Sequence, residues 1–220
     1  MIDHVNFDFN RPKRIGMPEA VFCQGKPLTV VHSLLENFAL PEAQPILFTR
    51  LAPEIFENIP KKLQDCYDYD PISQTAFAKK CAARLGKVTV ISAGSADTKV
   101  ALEAARTLDY LGIKVLLVED CGVCAAWRLD ARLAEINASD VVIAVAGFEG
   151  ALISVLGGQC PLPIIAVPTS TGYGVCEGGK TALAAMLVSC APGIPVMNID
   201  NGYGAACAAS RILFSLYKNK

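Results

Sequence analysis

The sequence predicts an α/β protein, in which a doubly wound, five-stranded parallel sheet over residues 81–220 follows a small α+β domain over residues 1–80. Three observations carry this expectation. From about residue 87 onward, short runs of apolar and β-branched residues alternate with stretches of helical period. Those apolar runs are nearly continuous rather than alternating with polar residues, which is the pattern of strands buried on both faces of a parallel sheet. Before residue 80 the pattern is irregular and shows no such regular exchange of periods.

Taken in chain order, EAVFCQG (19–25) and PILFTRLA (45–52) read as strands, residues 28–39 mix apolar and polar positions, and QDCYDYDPIS (64–73) is rich in turn residues. KVTVIS (87–92) then reads as a buried strand, TKVALEAARTLDYLG (98–112) as a helix ended by Gly112, and KVLLVED (114–120) as the next strand. The exchange continues with AAWRLDARLAEI (125–136) as a helix, VVIAVAG (141–147) as a strand and EGALISVLGG (149–158) as a short helix. PIIAVPT (163–169) and PVMNID (195–200) supply the fourth and fifth strands. KTALAAMLVS (180–189) is the helix between them, and GAACAASRILFSLYK (204–218) closes the chain as a helix.

Composition narrows the partners. The 220 residues carry a net charge of −1 with scattered Lys and Arg, so the basic footprint of a nucleic-acid binder is missing. The opening MIDHVNFDFNRPKR lacks the apolar core of a secretory signal, and the most apolar run, residues 141–158, is interrupted by Glu149 and glycines. The expectation is a cytoplasmic protein with no membrane contact. Nine cysteines show no framework spacing and their number is odd, which fits reduced thiols. Cys121 and Cys124 form a CxxC, but there is no second one and the only histidines are His4 and His32, so a closed zinc site is unsupported.

In a doubly wound sheet, ligands bind beyond the carboxyl ends of the strands. Two of the loops expected there, Gly94-Ser95-Ala96-Asp97 and Thr169-Ser170-Thr171-Gly172-Tyr173-Gly174, are rich in Gly, Ser and Thr. Their backbone N–H groups can cradle a phosphate ahead of a helix; Ser95, Asp97 and Thr169 equally suit plain helix caps. Glu149, between Gly147-Phe148 and Gly150, would be partly desolvated at a strand end and so suits acid/base work, or it is a helix-start glutamate favoured by the macrodipole. Cys190, at a helix-to-loop junction before Pro192-Gly193, is by position either a packed thiol or a nucleophile.

Several stretches carry a resemblance that bears on these alternatives: RPKRIGMPEAVFCQGK, SAGSADTKVALEA, DCGVCAAWRL, VVIAVAGFEGALISV, VPTSTGYGVCEGG and SCAPGIPVMNIDNGYG. Together they span the chain nearly end to end. They resemble the pyridinium-3,5-biscarboxylic acid mononucleotide synthase family, which begins synthesis of the nickel-pincer nucleotide cofactor. The later domain looks like the flavodoxin-like fold of aminoimidazole ribonucleotide carboxylase. The resemblance implies an enzyme that carboxylates C5 of the pyridinium ring of nicotinic acid adenine dinucleotide, with CO₂ or bicarbonate as co-substrate, and hydrolyses the phosphoanhydride to release AMP. It implies Cys190 as the nucleophile, at the strand-edge rim where the ring would lie, and Glu149 as the acid/base. It places Gly94, Ser95 and Asp97 in one nucleotide-contacting loop, Gly147 beside Glu149, and Thr169, Ser170, Gly172 and Gly174 in another. Asp200 and Asn201 are implied as contacts to ribose hydroxyls or to Mg²⁺ on the diphosphate. A homo-oligomer, up to an octamer, is implied too, and the 52% hydrophobic content is compatible with large interfaces. The chain departs from the family where Gly94-Ser95-Ala96-Asp97 replaces the usual Gly-Thr-Ser-Asp and where Trp127-Arg128 replaces a common His-Arg. Two other readings remain: an aminoimidazole ribonucleotide carboxylase-type enzyme, which needs a histidine although none follows His32, and a nucleotide-binding module without turnover.

Overall fold

A computed structural model describes residues 5–218, which divide into two compact units. One comprises the chain to Ala83 with Tyr110–Gly112, the other Arg84–Asp109 with Ile113 onward.

The first unit is built on a mixed four-stranded sheet. Its elements are α1 (Arg11–Ile15), β1 (Ala20–Phe22), α2 (Leu28–Phe38), β2 (Leu47–Thr49), α3 (Pro53–Glu57), α4 (Lys61–Gln64), β3 (Asp68–Asp70) and β4 (Thr75–Phe77). The strand order is β1-β2-β4-β3, with β1 and β2 parallel and the other pairs antiparallel. Residues 28–39, mixed to the eye, form a helix because Val31, Leu34, Leu35 and Phe38 recur at helical spacing and are all buried. QDCYDYDPIS, read as turn-rich, contains a strand as well. Asp70 accepts from the Ser73 N–H at 2.7 Å, an Asx-type turn that folds β3 back on β4.

The second unit is the doubly wound α/β fold. It runs β5 (Lys87–Ser92), α5 (Thr98–Tyr110), β6 (Lys114–Val118), α6 (Trp127–Asp130), α7 (Leu133–Ile136), β7 (Val141–Ala146), α8 (Ala151–Gly157), β8 (Ile164–Pro168), α9 (Lys180–Leu187) and α10 (Gly202–Tyr217). All strand pairs are parallel and the order is β6-β5-β7-β8, the flavodoxin-like order in which the second strand lies outside the first. Every residue of β7 is buried, which accounts for its unbroken apolar run. Val142, Ala144 and Ala146 share one core with Leu152 and Leu156 of α8 and Ala182 and Met186 of α9. On α5 and α10, Ala104 and Ala205 are likewise buried. The two helices approach so closely that a Cβ on Gly202 would lie 2.4 Å from the Val100 carbonyl.

Two expectations are corrected here. The sheet has four strands, not five: PVMNID pairs with β8 only through a parallel bridge between Val196 and Ala166. Pro195 has no N–H to add to a ladder, and the chain turns at once. The Asn198 side chain accepts from the Ile199 N–H, and Asp200 takes a positive φ of 56°. AAWRLDARLAEI is likewise not one helix but two single turns, α6 and α7, separated at Ala131–Arg132. No helix of the described residues is long and apolar enough to cross a membrane.

Candidate active site

The loops leaving β5, β7 and β8 converge on one carboxylate. Asp97 is 4% exposed. Its Oδ1 accepts from the Thr169 hydroxyl at 2.6 Å and its Oδ2 from the Gly94 N–H at 3.1 Å. Burial pushes its pKa up; the Thr169 hydroxyl, the Gly94 N–H, the Thr171 side chain and the Gly147 backbone each pull it back down. Further bonds lock the same loops: the Phe148 N–H donates to the Thr171 carbonyl at 2.9 Å, and the Thr171 hydroxyl to the Ala96 carbonyl at 3.2 Å. Gly147 sits where a Cβ would lie 2.5 Å from the Thr171 carbonyl and 2.7 Å from Thr169 Oγ1, so only glycine lets the β7 and β8 loops meet.

Asp97 therefore acts inside the rim rather than on its open face, which leaves Ser95 and Ser170, both exposed, on the outside. Its raised pKa has a sign that can be tested. A carboxyl raised by folding stabilises most below its unfolded pKa of about 3.9 and loses that contribution as pH rises through the folded value. Asp97→Asn removes the titration while depriving the Gly94 N–H of its acceptor. The melting temperature of the variant relative to the unsubstituted protein is expected to rise as pH increases from about 4. A difference that stays flat across that range would show that Asp97 is not the titrating group.

Asp200 and Asn201 are also engaged. Asp200 Oδ1 accepts from the Ser170 N–H at 2.8 Å, and Asn201 caps α10 by accepting from the Gly204 N–H at 2.8 Å. Among the described residues no three His, Cys, Asp or Glu side chains converge as a metal cage. Asp200 and Asn201, expected as contacts to ribose hydroxyls or Mg²⁺, use these oxygens within the fold.

Glu149 lies in the tight turn between β7 and α8. The turn is closed by the Gly150 N–H donating to the Gly147 carbonyl at 2.9 Å, with Phe148 at a φ of 49°. The desolvation expected from its apolar neighbours is absent: Glu149 is exposed, because Phe148 turns outward beside it and Tyr173 packs on Phe148 edge-to-face at 5.7 Å.

Cys190 is exposed as well, so it is not a packed core thiol. α9 runs back along the sheet, and the residues after it lie along α8: Ser189 Oγ is 2.7 Å from Ser154 Oγ, and Ala191 and Ile194 fill the space beside Gly157. At 1.5 Å per residue, these levels of α8 lie about 7–12 Å along the helix from Glu149. The Cys190 segment thus packs along α8 between the levels of Ser154 and Gly157. The other cysteines sort by burial. Cys23 is pushed up to about 12 by burial, Cys121 and Cys160 are raised for the same reason, and none of the nine cysteines forms a disulfide.

The sequence reading did not single out Thr171, the joint between the β5, β7 and β8 loops, whose only sequence signal is the Thr-Ser-Thr triplet. Trp127, which stands where the family commonly has His, is 68% exposed.

Residues 87–219 match the AIR carboxylase family, and residues 1–80 match the LarB/PurE-like N-terminal domain. An uncharacterized protein of Methanocaldococcus jannaschii is 35% identical over 226 residues, covering 98% of this chain and 86% of that protein. Among solved structures, Treponema denticola PurE is 24% identical and covers 60% of this chain and 81% of its own, at a TM-score of 0.50. A substituted form of Treponema denticola PurE2 matches equally, covering 82% of its own length.

Proposed function

The chain belongs to the AIR carboxylase family, with a LarB/PurE-like N-terminal domain ahead of the carboxylase fold, and we propose that it carboxylates the pyridinium ring of nicotinic acid adenine dinucleotide at C5 and hydrolyses the dinucleotide to AMP and pyridinium-3,5-biscarboxylic acid mononucleotide. The family supports a carboxylase-type role. The observation that carries the finer reading is the extra N-terminal domain, combined with the lack of any histidine after His32 for an aminoimidazole ribonucleotide carboxylase-type proton transfer.

The chemistry accounts for the residue types. A pyridinium ring is electron-poor and does not attack CO₂. Addition of the Cys190 thiolate at C4 or C6 forms a C–S bond and turns the ring into a neutral dienamine whose C5 is nucleophilic. C5 then forms a bond to CO₂. Glu149 takes the C5 proton, and the electron pair so released expels the thiolate and restores aromaticity. In the hydrolytic step water adds to one phosphorus of the diphosphate and the bridging oxygen leaves with the other. Glycine- and serine-rich loops held by Asp97 offer backbone N–H groups and the exposed Ser95 and Ser170 to the phosphates. Magnesium would ride on the substrate's own phosphates rather than in a protein cage, and no step above depends on it.

The reading includes a homo-oligomer in which a second copy of the chain contributes to each site. The large apolar side chains beside Cys190, Leu187 at 66% and Val188 at 81% exposure, suit such a contact in a homo-oligomer. The test is incubation with nicotinic acid adenine dinucleotide and ¹³C-bicarbonate, followed by mass spectrometry. AMP together with a labelled mononucleotide one carboxylate heavier than nicotinate mononucleotide is the expected outcome. An intact dinucleotide would leave only the carboxylase fold and a binding role.

A further inference from the structure

Phe148 sits in a backbone conformation that its side chain does not explain. It is the first central residue of the turn Gly147-Phe148-Glu149-Gly150, with a φ of 49° and Glu149 outside the positive-φ region. That sign pattern belongs to a turn whose first central position is normally glycine. For a bulky side chain it is an outlier, kept only where the surroundings force it. Burial of the ring is a weak offset, because Phe148 is 42% exposed and its aromatic neighbour Tyr173 is 79% exposed. Asp120 and Asp200, which also take positive φ after their strands, are of a type that tolerates it. What holds the Phe148 turn is its contact with the β8 loop. The Gly150 N–H closes the turn on the Gly147 carbonyl and the Phe148 N–H donates to the Thr171 carbonyl, both at 2.9 Å. Thr171 is tied in its turn to the β5 loop: its hydroxyl donates to the Ala96 carbonyl at 3.2 Å, next to buried Asp97. One threonine thus joins the strained peptide to the loop that Asp97 anchors.

We propose that Thr171 is the positioning residue for Glu149: its hydroxyl fixes the carbonyl that keeps Phe148 at positive φ, and the strained turn aims the carboxylate. The inference rests on the acid/base role proposed above and adds what orients that group. Glu149 is exposed, so its direction is inherited from the backbone it stands on rather than from side-chain packing. When the clamp loosens, Phe148 relaxes to negative φ, the peptide ahead of Glu149 rotates, and the carboxylate leaves its place. A misplacement of about 1 Å in a reacting group costs about a hundredfold in rate.

Thr171→Val keeps the β-branched shape and removes the hydroxyl. It is expected to lower kcat for the dinucleotide roughly ten- to a hundredfold with KM about unchanged, and Thr171→Ser, which keeps the hydroxyl, to stay within about threefold of the unsubstituted protein. Glycine takes positive φ without a clamp, so Phe148→Gly alone is expected to turn over. Adding Thr171→Val to Phe148→Gly is then expected to cost less than about threefold, a suppression that a general loss of stability does not produce. Hydrogen exchange reads the clamp without substrate: the Phe148 amide is expected to exchange at least about tenfold faster in Thr171→Val. Several results would overturn the assignment. They are an unchanged kcat in Thr171→Val where Glu149→Gln is impaired, a raised KM at unchanged kcat, no turnover in Phe148→Gly, or an undiminished loss when Thr171→Val is added to it. Unchanged exchange at the Phe148 amide removes the clamp whatever the activity. Faster exchange in a protein that does not turn over keeps the clamp and sinks the proposed reaction.

Discussion

Cys190→Ala is expected to abolish carboxylation of the dinucleotide while leaving the fold intact. Without the thiolate the ring has no route to a nucleophilic C5, so the loss is of the chemical step itself and not of affinity. The substitution should cost little stability, because the side chain is exposed in the loop after α9. Two measurements separate these effects: product analysis by mass spectrometry, and thermal unfolding of the variant beside the unsubstituted protein. A second signature is a covalent adduct. Intact-protein mass spectrometry of the protein incubated with dinucleotide without bicarbonate is expected to show a mass increase at Cys190 that is absent in Cys190→Ala. Unimpaired carboxylation by Cys190→Ala would sink the adduct mechanism outright.

Glu149→Gln is expected to lower kcat by about a hundredfold to ten-thousandfold, the usual worth of a positioned acid/base, with little change in KM. The amide keeps the size and hydrogen-bonding shape of the side chain but cannot take the C5 proton. The carboxylated adduct is therefore expected to accumulate, since release of the thiolate waits on that proton. The same variant tests how the site is assembled. Co-expression of Cys190→Ala with Glu149→Gln in one oligomer is expected to restore about a quarter of the activity for random pairing, because some sites then combine an intact Cys190 from one copy with an intact Glu149 from another. A site contained within one chain gives no restoration, and that result would place both residues of each site on the same copy.

The parts of this protein that were legible in the sequence depend on neighbours close in the chain. β5, β6, β7 and β8 stand out as apolar runs because a parallel strand covered on both faces buries every side chain, as β7 does over Val141–Ala146. Helix α5 and helix α10 follow from their period, and the Gly- and Ser-rich loops at strand ends mark the rim before any contact is known. The Cys190 and Glu149 segments carry their chemistry in residue type and local spacing. What stayed illegible depends on residues far apart in the chain. The fifth strand shrank to the Val196–Ala166 bridge because Pro195 lacks a donor and the chain bends at Asn198, a balance that the apolar run PVMNID does not display. Asp97 reads as a ligand contact or a cap, yet it joins Thr169, seventy-two positions away, and becomes the centre of three loops. Exposure of Glu149 and Cys190 follows from where α8 and α9 pack. Those placements are set by Ser154 meeting Ser189 and by Ala191 and Ile194 filling the space beside Gly157. Periodicity and turn chemistry act over a few residues and leave their mark in the order of the letters, whereas burial and hydrogen-bond partners are decided only when distant segments compete for the same space and the same donors.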